Sequence, residues 1–274
     1  MSIKKRGKIN KRTVVFTLSA AVFIAVVLGL KIFLNLVYVP AILMYHSVGD
    51  PPTATLDGYG DKLNVTPEVF EKQMRFLKEH NYNVIPLNKM VERIREKERI
   101  PHKTVTITFD DGLKNNFTNA YPVLKKYGLP ATFFVAVDFI GKKNFLTWED
   151  IREMQENGIS IGSHTMSHRW LTSLDKKELK KELVESKAVI ERVTGKKVYT
   201  LSYPLGRYNE ETKKAAKEAG YIGAVATNPG PTKPKDDIYA LKRVRISMSS
   251  ASMIVLWIET SGYYTFIKEV RDDD

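Results

Sequence analysis

Thr104-Val105-Thr106-Ile107-Thr108-Phe109-Asp110-Asp111-Gly112 is a β-branched run that stops at two acids and a glycine. Val, Ile, Thr and Phe in close succession favour a strand. The run is apolar enough for a strand covered on both faces, which is how strands of parallel sheets read. The segments on either side repeat the pattern. Ile42 to Tyr45 is a short buried strand ending at His46, and Val84-Ile85 is a brief one. Ala131 to Val137, Ile159 to Gly162, Val198 to Tyr203, Ile222 to Ala226 and Leu241 to Ile246 are further strands.

Helical signals fill the gaps. Thr66-Pro67-Glu68 has the form of a helix start, with Phe70, Met74 and Leu77 following at helical spacing. Asn88 is positioned to cap a second helix, and Phe117 to Tyr127 forms a third, ended by Gly128. Thr147 caps a helix from Trp148 to Asn157, closed by Gly158. Ser173 or Asp175 caps a long charged helix that ends at Gly195 and reads as a solvated outer face. Glu210 to Ala219 and Ser250 to Glu259 complete the set, while Gly49 to Leu63 is loop. Alternating strand and helix predicts an α/β fold with a parallel sheet, as a single distorted (β/α) barrel or its open form.

The formal net charge of +12 invites a nucleic-acid reading. Its distribution argues against one. Seven basic residues and no acid precede Pro40, and without them the rest of the chain carries about +5, ordinary for a domain of this size. The absence of cysteine excludes disulfides, thiolate metal sites and cysteine nucleophiles.

Val14 to Leu30 is apolar throughout, and after Lys31 the apolar character resumes from Ile32 to Val39. Seventeen helical residues cover about 26 Å, short of a bilayer core of roughly 30 Å unless Lys31 snorkels and extends the span. Six basic residues ahead of it predict a cytoplasmic N-terminus. No small-residue cleavage site follows, so residues 1–39 are expected to be a basic tail and single-pass signal anchor in the cell membrane. Residues 40–274 then form one extracellular catalytic domain, expected to be monomeric.

Polar and ionisable residues cluster where strands end: His46, Asp110-Asp111, His164 and Tyr203-Pro204. In parallel α/β folds that edge carries the chemistry. Adjacent carboxylates persist when a cation or a shared proton relieves their repulsion. In Ser163-His164-Thr165-Met166-Ser167-His168 the separation of four places two imidazoles on one face of a helical turn, suited to bidentate metal binding. An Asp with two His leaves metal positions open for water and substrate. His80 and His102 read as surface residues.

With these residues in view, the stretch from about Ala41 to Ile246 resembles the polysaccharide deacetylases with the NodB-type domain, carbohydrate esterase family four. Thr108-Phe109-Asp110-Asp111-Gly112 is similar to the family's first motif, which implies Asp110 as general base and Asp111 as metal ligand. The segment Ser163 to His168 resembles its second, implying His164 and His168 as the other ligands. The implied cofactor is a divalent metal, Zn2+ foremost, with Co2+ or Ni2+ as alternatives. The third motif departs from the family pattern: Ser202-Tyr203-Pro204-Leu205-Gly206 has no Arg two residues before the proline. The late Leu-x-His motif is missing too. Ile42 to Val48 instead resembles the opening strand of circularly permuted members, which include poly-N-acetylglucosamine deacetylases, so His46 takes the general-acid role.

The resemblance further implies the Leu205 main-chain N–H as oxyanion donor, with Tyr203 and Pro204 at the substrate. Arg243, ahead of Arg207, is the candidate to hold Asp110. Trp148, Trp170 or Tyr208 are candidates for stacking on sugar rings, and residues 49–63 for a groove wall. The expected reaction removes N-acetyl groups from N-acetylglucosamine-containing cell-surface polysaccharide. The rivals are O-acetyl esterase chemistry on the same fold, or a silent sugar-binding protein tethered to the membrane.

Overall fold

A computed structural model describes residues 11–49, 56, 60–227 and 237–264. The basic tail before Lys11 and most of the stretch expected to form a groove wall lie outside the described residues. The chain divides into two units, Met1–Tyr38 and Val39–Asp274.

Among the described residues the first unit is a single helix, α1 (Lys11–Val37). It runs through Lys31 without a break, and its apolar span is Val15–Asn35. Twenty-one residues at 1.5 Å each extend about 32 Å, enough by length and composition to cross a bilayer core of roughly 30 Å.

Among the described residues the second unit holds ten strands. They are β1 (Ala41–Tyr45), β2 (Ser47–Val48), β3 (Asn64–Val65), β4 (Asn83–Val84), β5 (Thr104–Phe109), β6 (Thr132–Val135), β7 (Ser160–Ser163), β8 (Thr200–Ser202), β9 (Gly223–Val225) and β10 (Val244–Arg245). Seven form one path in the order β10-β1-β5-β6-β7-β8-β9, with β4 beside the start of β5. Every pairing is parallel. The stretch expected as one last strand, Leu241 to Ile246, instead changes partners. Leu241 bridges Val225 of β9, and Val244-Arg245 pair with Leu43-Met44 of β1. The segment therefore touches both ends of the sheet and curls it towards a distorted (β/α) barrel. Arg243 lies at the crossover, its side chain wholly buried.

Helices α2 (Pro67–Glu79), α3 (Leu87–Arg95), α4 (Tyr121–Tyr127), α5 (Trp148–Glu156), α6 (Lys176–Lys180), α7 (Ser186–Thr194), α8 (Glu210–Glu218) and α9 (Met253–Thr260) complete the domain. Local chemistry sets several ends. Thr66 caps α2 by accepting from the Val69 N–H, and Thr147 and Asp150 form a reciprocal capping box on α5. Asp175, the second of the two candidates, caps α6. Asn88 does not cap α3. The cap lies two residues earlier at Pro86, and the Leu87 N–H is satisfied by Thr132 Oγ1 at 3.2 Å. Within the expected 49–63 loop, Gly60–Leu63 makes a 3-10 turn, leading into β3, which pairs with β2.

Two apolar layers hold the sheet. On one face Tyr45, Phe109 and Phe133 lie side by side on adjacent strands, and Phe70 of α2 packs edge-on against Tyr45. Inside the curl, Ile42, Phe134, Val225 and Leu241 meet Leu87, Met90, Val91 and Ile94 of α3. Gly162 is required here, because a Cβ at that position would overlap the Phe134 ring. Helix α3 lies at the N-terminal ends of the strands, which leaves their C-terminal ends free to carry the site.

Candidate active site

Asp110 follows β5 directly, and its N–H still donates to the Tyr45 carbonyl at 3.0 Å, so the sheet ladder aims it. Asp111 and Gly112 both take left-handed backbone, with φ of 72° each. This costs Asp111 some strain, and the carboxylates of the two neighbours have different partners. The two acids thus serve separate clusters.

Asp110 belongs to Arg243. Nη1 donates to Oδ1 at 2.8 Å and Nη2 to Oδ2 at 2.5 Å. The other guanidinium bonds run from Nε to the Ala226 carbonyl (3.0 Å), Nη1 to Thr108 Oγ1 (3.2 Å) and Nη2 to Ser202 Oγ (3.0 Å). Five N–H groups meet five oxygens, which satisfies the full donor set of an arginine. The Ser202 hydroxyl donates in turn to Asp110 Oδ2 at 3.1 Å. Burial alone would raise the pKa of Asp110. The guanidinium beside it, aided by His164, outweighs burial and holds the carboxyl well below the usual range.

Arg207 does not compete for this place. Its guanidinium lies over the Trp170 ring, 4.2 Å from the centroid. Ser202 occupies the position where the family pattern has its motif-three arginine, and its small side chain leaves room for Arg243 to enter from another segment.

Asp111 belongs to the histidines. His164 Nε2 and His168 Nε2 lie 3.6 and 3.7 Å from Asp111 Oδ1. The other carboxylate oxygen accepts the Leu56 N–H at 2.9 Å. His164 Nδ1 sits 2.8 Å from the Ser202 carbonyl, which makes Nδ1 the protonated nitrogen and leaves Nε2 as the lone pair facing Asp111. Ser202 therefore braces both clusters, its hydroxyl on Asp110 and its carbonyl on His164.

The expected helical turn from His164 to His168 is not formed. Thr165 and His168 have left-handed φ of 68° and 58°. The loop is shaped instead by Glu182, whose carboxylate accepts the Met166 and Ser167 N–H groups at 2.9 Å each and the Ser167 hydroxyl. The rings still meet, with centroids 4.7 Å apart. Glu182 is the residue the sequence did not single out. It is one glutamate among several in a lysine-rich helical stretch, and only its burial distinguishes it.

Asp111, His164 and His168 offer three ligand atoms within 4.8 Å of one another. They fit a divalent cation. Asp111 Oδ1 is buried and accepts no hydrogen bond among the described residues, a costly state for a carboxylate oxygen without a cation. Burial, with the neighbouring His164, pushes the His168 pKa down to about 4, so the ring is neutral near pH 7 as a ligand must be. At His164 burial acts downward too, but Asp111 and Asp110 overcome it and raise its pKa.

His46 follows β1, between β10 and β5, and is buried. Burial lowers its pKa against the pull of Asp111 and Asp110. Its Nδ1 has no hydrogen-bond partner among the described residues. The adjoining Ser47 is pinned by its hydroxyl to Asn64 Oδ1 at 2.7 Å and by Asn115 Nδ2 at 2.8 Å.

Leu205 has φ of 58°, inside a tight turn that follows β8. Tyr203 and Pro204 are buried. Tyr203 donates its hydroxyl to the Tyr239 carbonyl at 2.9 Å and stacks on Tyr208. These contacts hold the Tyr203 ring beside the turn. Tyr208 is engaged the same way, and Trp148 packs against the core. Trp170 remains half exposed. His80 and His102 lie on the surface.

A parallel barrel with an acid–guanidinium pair and an Asp-His-His triangle at its C-terminal mouth is the arrangement of a hydrolase. The polysaccharide deacetylase family model matches residues 97–224. The chain is 39% identical over 220 residues to YxkH of Bacillus subtilis (strain 168), whose name places it in the same family, covering 80% of this chain and 76% of that one. It is 29% identical over 206 residues to the poly-beta-1,6-N-acetyl-D-glucosamine N-deacetylase of Staphylococcus epidermidis, covering 70% and 71%. Among solved structures, Streptococcus pyogenes deacetylase PplD in complex with acetate superposes with a TM-score of 0.74 at 28% identity, covering 81% of this chain and 98% of that one. The chain belongs to the polysaccharide deacetylase family and is a hydrolytic deacetylase with the NodB-like fold.

Proposed function

We propose that the chain is a metal-dependent N-deacetylase of N-acetylglucosamine-containing cell-surface polysaccharide, anchored by Val15–Asn35 with residues 40–274 outside the cell. The observation that carries this reading is the pairing of two clusters at one strand edge: Asp110 clamped by Arg243, and Asp111 Oδ1 facing two imidazole nitrogens. Asp111, His164 and His168 would hold the ion, Zn2+ being the first choice for one carboxylate and two imidazoles. A divalent ion there supplies Lewis acidity, polarising a carbonyl and acidifying water.

The residues of the chain do the rest. Asp110, kept ionised by Arg243, accepts the proton of the attacking water. Arg243, fixed by five hydrogen bonds, keeps the carboxylate in place. The Leu205 N–H donates to the oxygen on which negative charge develops. His46 delivers a proton to the sugar nitrogen as the C–N bond breaks, so the products are acetate and the free amino sugar. The likeness to the S. epidermidis enzyme supports β-1,6-linked N-acetylglucosamine as the first polymer to test, and the basic residues before α1 support the outward orientation.

The test measures acetate release from β-1,6- and β-1,4-linked N-acetylglucosamine oligomers, peptidoglycan and O-acetylated xylan, with and without chelator. Chelator-sensitive release from an N-acetylated substrate is expected. Release from O-acetylated xylan alone, or release indifferent to chelator, refutes the reading.

A further inference from the structure

Helix α9 has the sequence Met253-Ile254-Val255-Leu256-Trp257-Ile258-Glu259-Thr260. A helix on the surface of a soluble domain ordinarily turns charged residues outward. Here the sole charged residue, Glu259, is buried, with its Oε1 accepting from Ser250 Oγ at 3.0 Å. Leu256 and Thr260 also face inward, and Tyr82 and Thr260 share a hydrogen bond of 2.9 Å, so the helix is firmly seated. The outward stripe is Ile254, Trp257 and Ile258, at spacing i, i+3, i+4, with Ile254 71% and Trp257 56% exposed. Isolated exposed apolar residues are unremarkable, but a contiguous stripe on one rigid helix marks an interaction surface.

Chain connectivity says what the stripe meets. The Val39 N–H donates to the Gly262 carbonyl at 2.8 Å, which ties the end of α9 to the first residue of the domain. Val39 is four residues beyond Asn35, where the apolar span ends. Four residues reach at most about 14 Å. If Val15–Asn35 crosses the bilayer, Val39 and the end of α9 are confined to the headgroup region or just above it. Tryptophan is enriched at membrane–water interfaces, the isoleucines beside it add apolar area that lipid can bury, and an uncharged outer face suits lipid better than a water-exposed or polar partner surface.

We propose that the Ile254/Trp257/Ile258 stripe of α9 rests on the lipid surface and fixes how the catalytic domain stands on the membrane. The proposal rests on the membrane-anchor reading above. The chain has no cysteine, so Ile254→Cys gives a single site for an environment-sensitive dye. The full-length protein is reconstituted in phosphatidylcholine–phosphatidylglycerol vesicles, with Lys142→Cys as the exposed comparison site. The expected result is a blue-shifted emission at position 254 that doxyl-labelled lipids quench, an aqueous spectrum at 142, and loss of the shift when Trp257→Ser is added. Emission at 254 matching that at 142 in vesicle-bound protein overturns the proposal. A blue shift that doxyl lipids do not quench overturns it as well, by showing a protein contact in place of lipid. Failure of the full-length protein to float with vesicles removes the anchor reading, and the proposal with it.

Discussion

Arg243→Lys separates charge from geometry at the base. Lysine keeps a positive charge in the pocket but replaces a planar fork with a single ammonium. Of the five arginine bonds, the two parallel ones to Asp110, at 2.8 and 2.5 Å, cannot both be reproduced in plane. A hydrogen bond to a charged group contributes roughly 1.5–3 kcal/mol. Losing one therefore lowers stability by about that amount. At roughly 2–4 °C per kcal/mol for a domain of this size, the melting temperature falls by about 3–12 °C. If the clamp also orients the base, the same loss in the transition state reduces kcat by about 10- to 100-fold. KM should hold, because Arg243 is wholly buried and has no surface to offer a polymer. The assay is steady-state acetate release together with a thermal melt of the same preparation. A variant that melts several degrees lower yet keeps full kcat refutes the claim that Arg243 positions Asp110, and leaves it as a structural ion pair.

Three further outcomes are expected. His46→Ala lowers kcat by about 10²- to 10⁴-fold while the bound-metal content stays at the wild-type value; an unchanged rate removes His46 as the proton donor. Gly162→Ala drives a methyl into the Phe134 ring and costs roughly 1–3 kcal/mol, with Phe134→Leu in the same chain restoring part of the melting temperature; a wild-type melt for the single variant refutes this. Asp110→Asn gives a pH signature whose sign follows from linkage. The folded pKa of Asp110 lies below the unfolded value of about 3.9, so its contribution is complete above that value and fades as pH falls through the folded pKa. The gap in melting temperature between wild type and Asp110→Asn therefore narrows below about pH 4, and a gap that widens on acidification contradicts the Asp110–Arg243 account.

The parallel sheet was legible because β5 and its neighbours are short apolar runs that stop at polar residues, and this is local information. Thr147 and Gly158 bounded α5 in the sequence as they do in the structure, since caps act within a few residues. What the sequence could not supply was non-local. It placed His164 and His168 on a helical turn because spacing is all it contains, whereas the loop takes its shape from Glu182, fourteen residues on. It gave no sign that the Tyr203 hydroxyl reaches the Tyr239 carbonyl, thirty-six residues on. The sequence ranked Arg243 ahead of Arg207, and the spatial reason lies in the fold, where Trp170 already engages Arg207.

The same distinction explains how the site stays whole while two of its motifs leave their usual places. A site on the C-terminal edge of a parallel sheet depends on which strands are lateral neighbours and hardly at all on when the chain visits them. His46 arrives first in sequence, yet β1 lies between β10 and β5, beside the strand that carries Asp110. Arg243 arrives last, on the segment that links β9 to β1, and it points into the curl where Asp110 and Ser202 also point. An arginine entering from that segment reaches Asp110 only if the residue facing it from β8 is small, and Ser202 is small. It also needs a floor, which Phe134 provides beneath the guanidinium at 5.8 Å, with Gly162 making room for Phe134 in turn. The serine in place of the motif-three arginine, the late arginine, Phe134 on β6 and the glycine on β7 are thus one packing solution spread over three strands and the closing segment. A substitution at any one of them should be felt at Asp110.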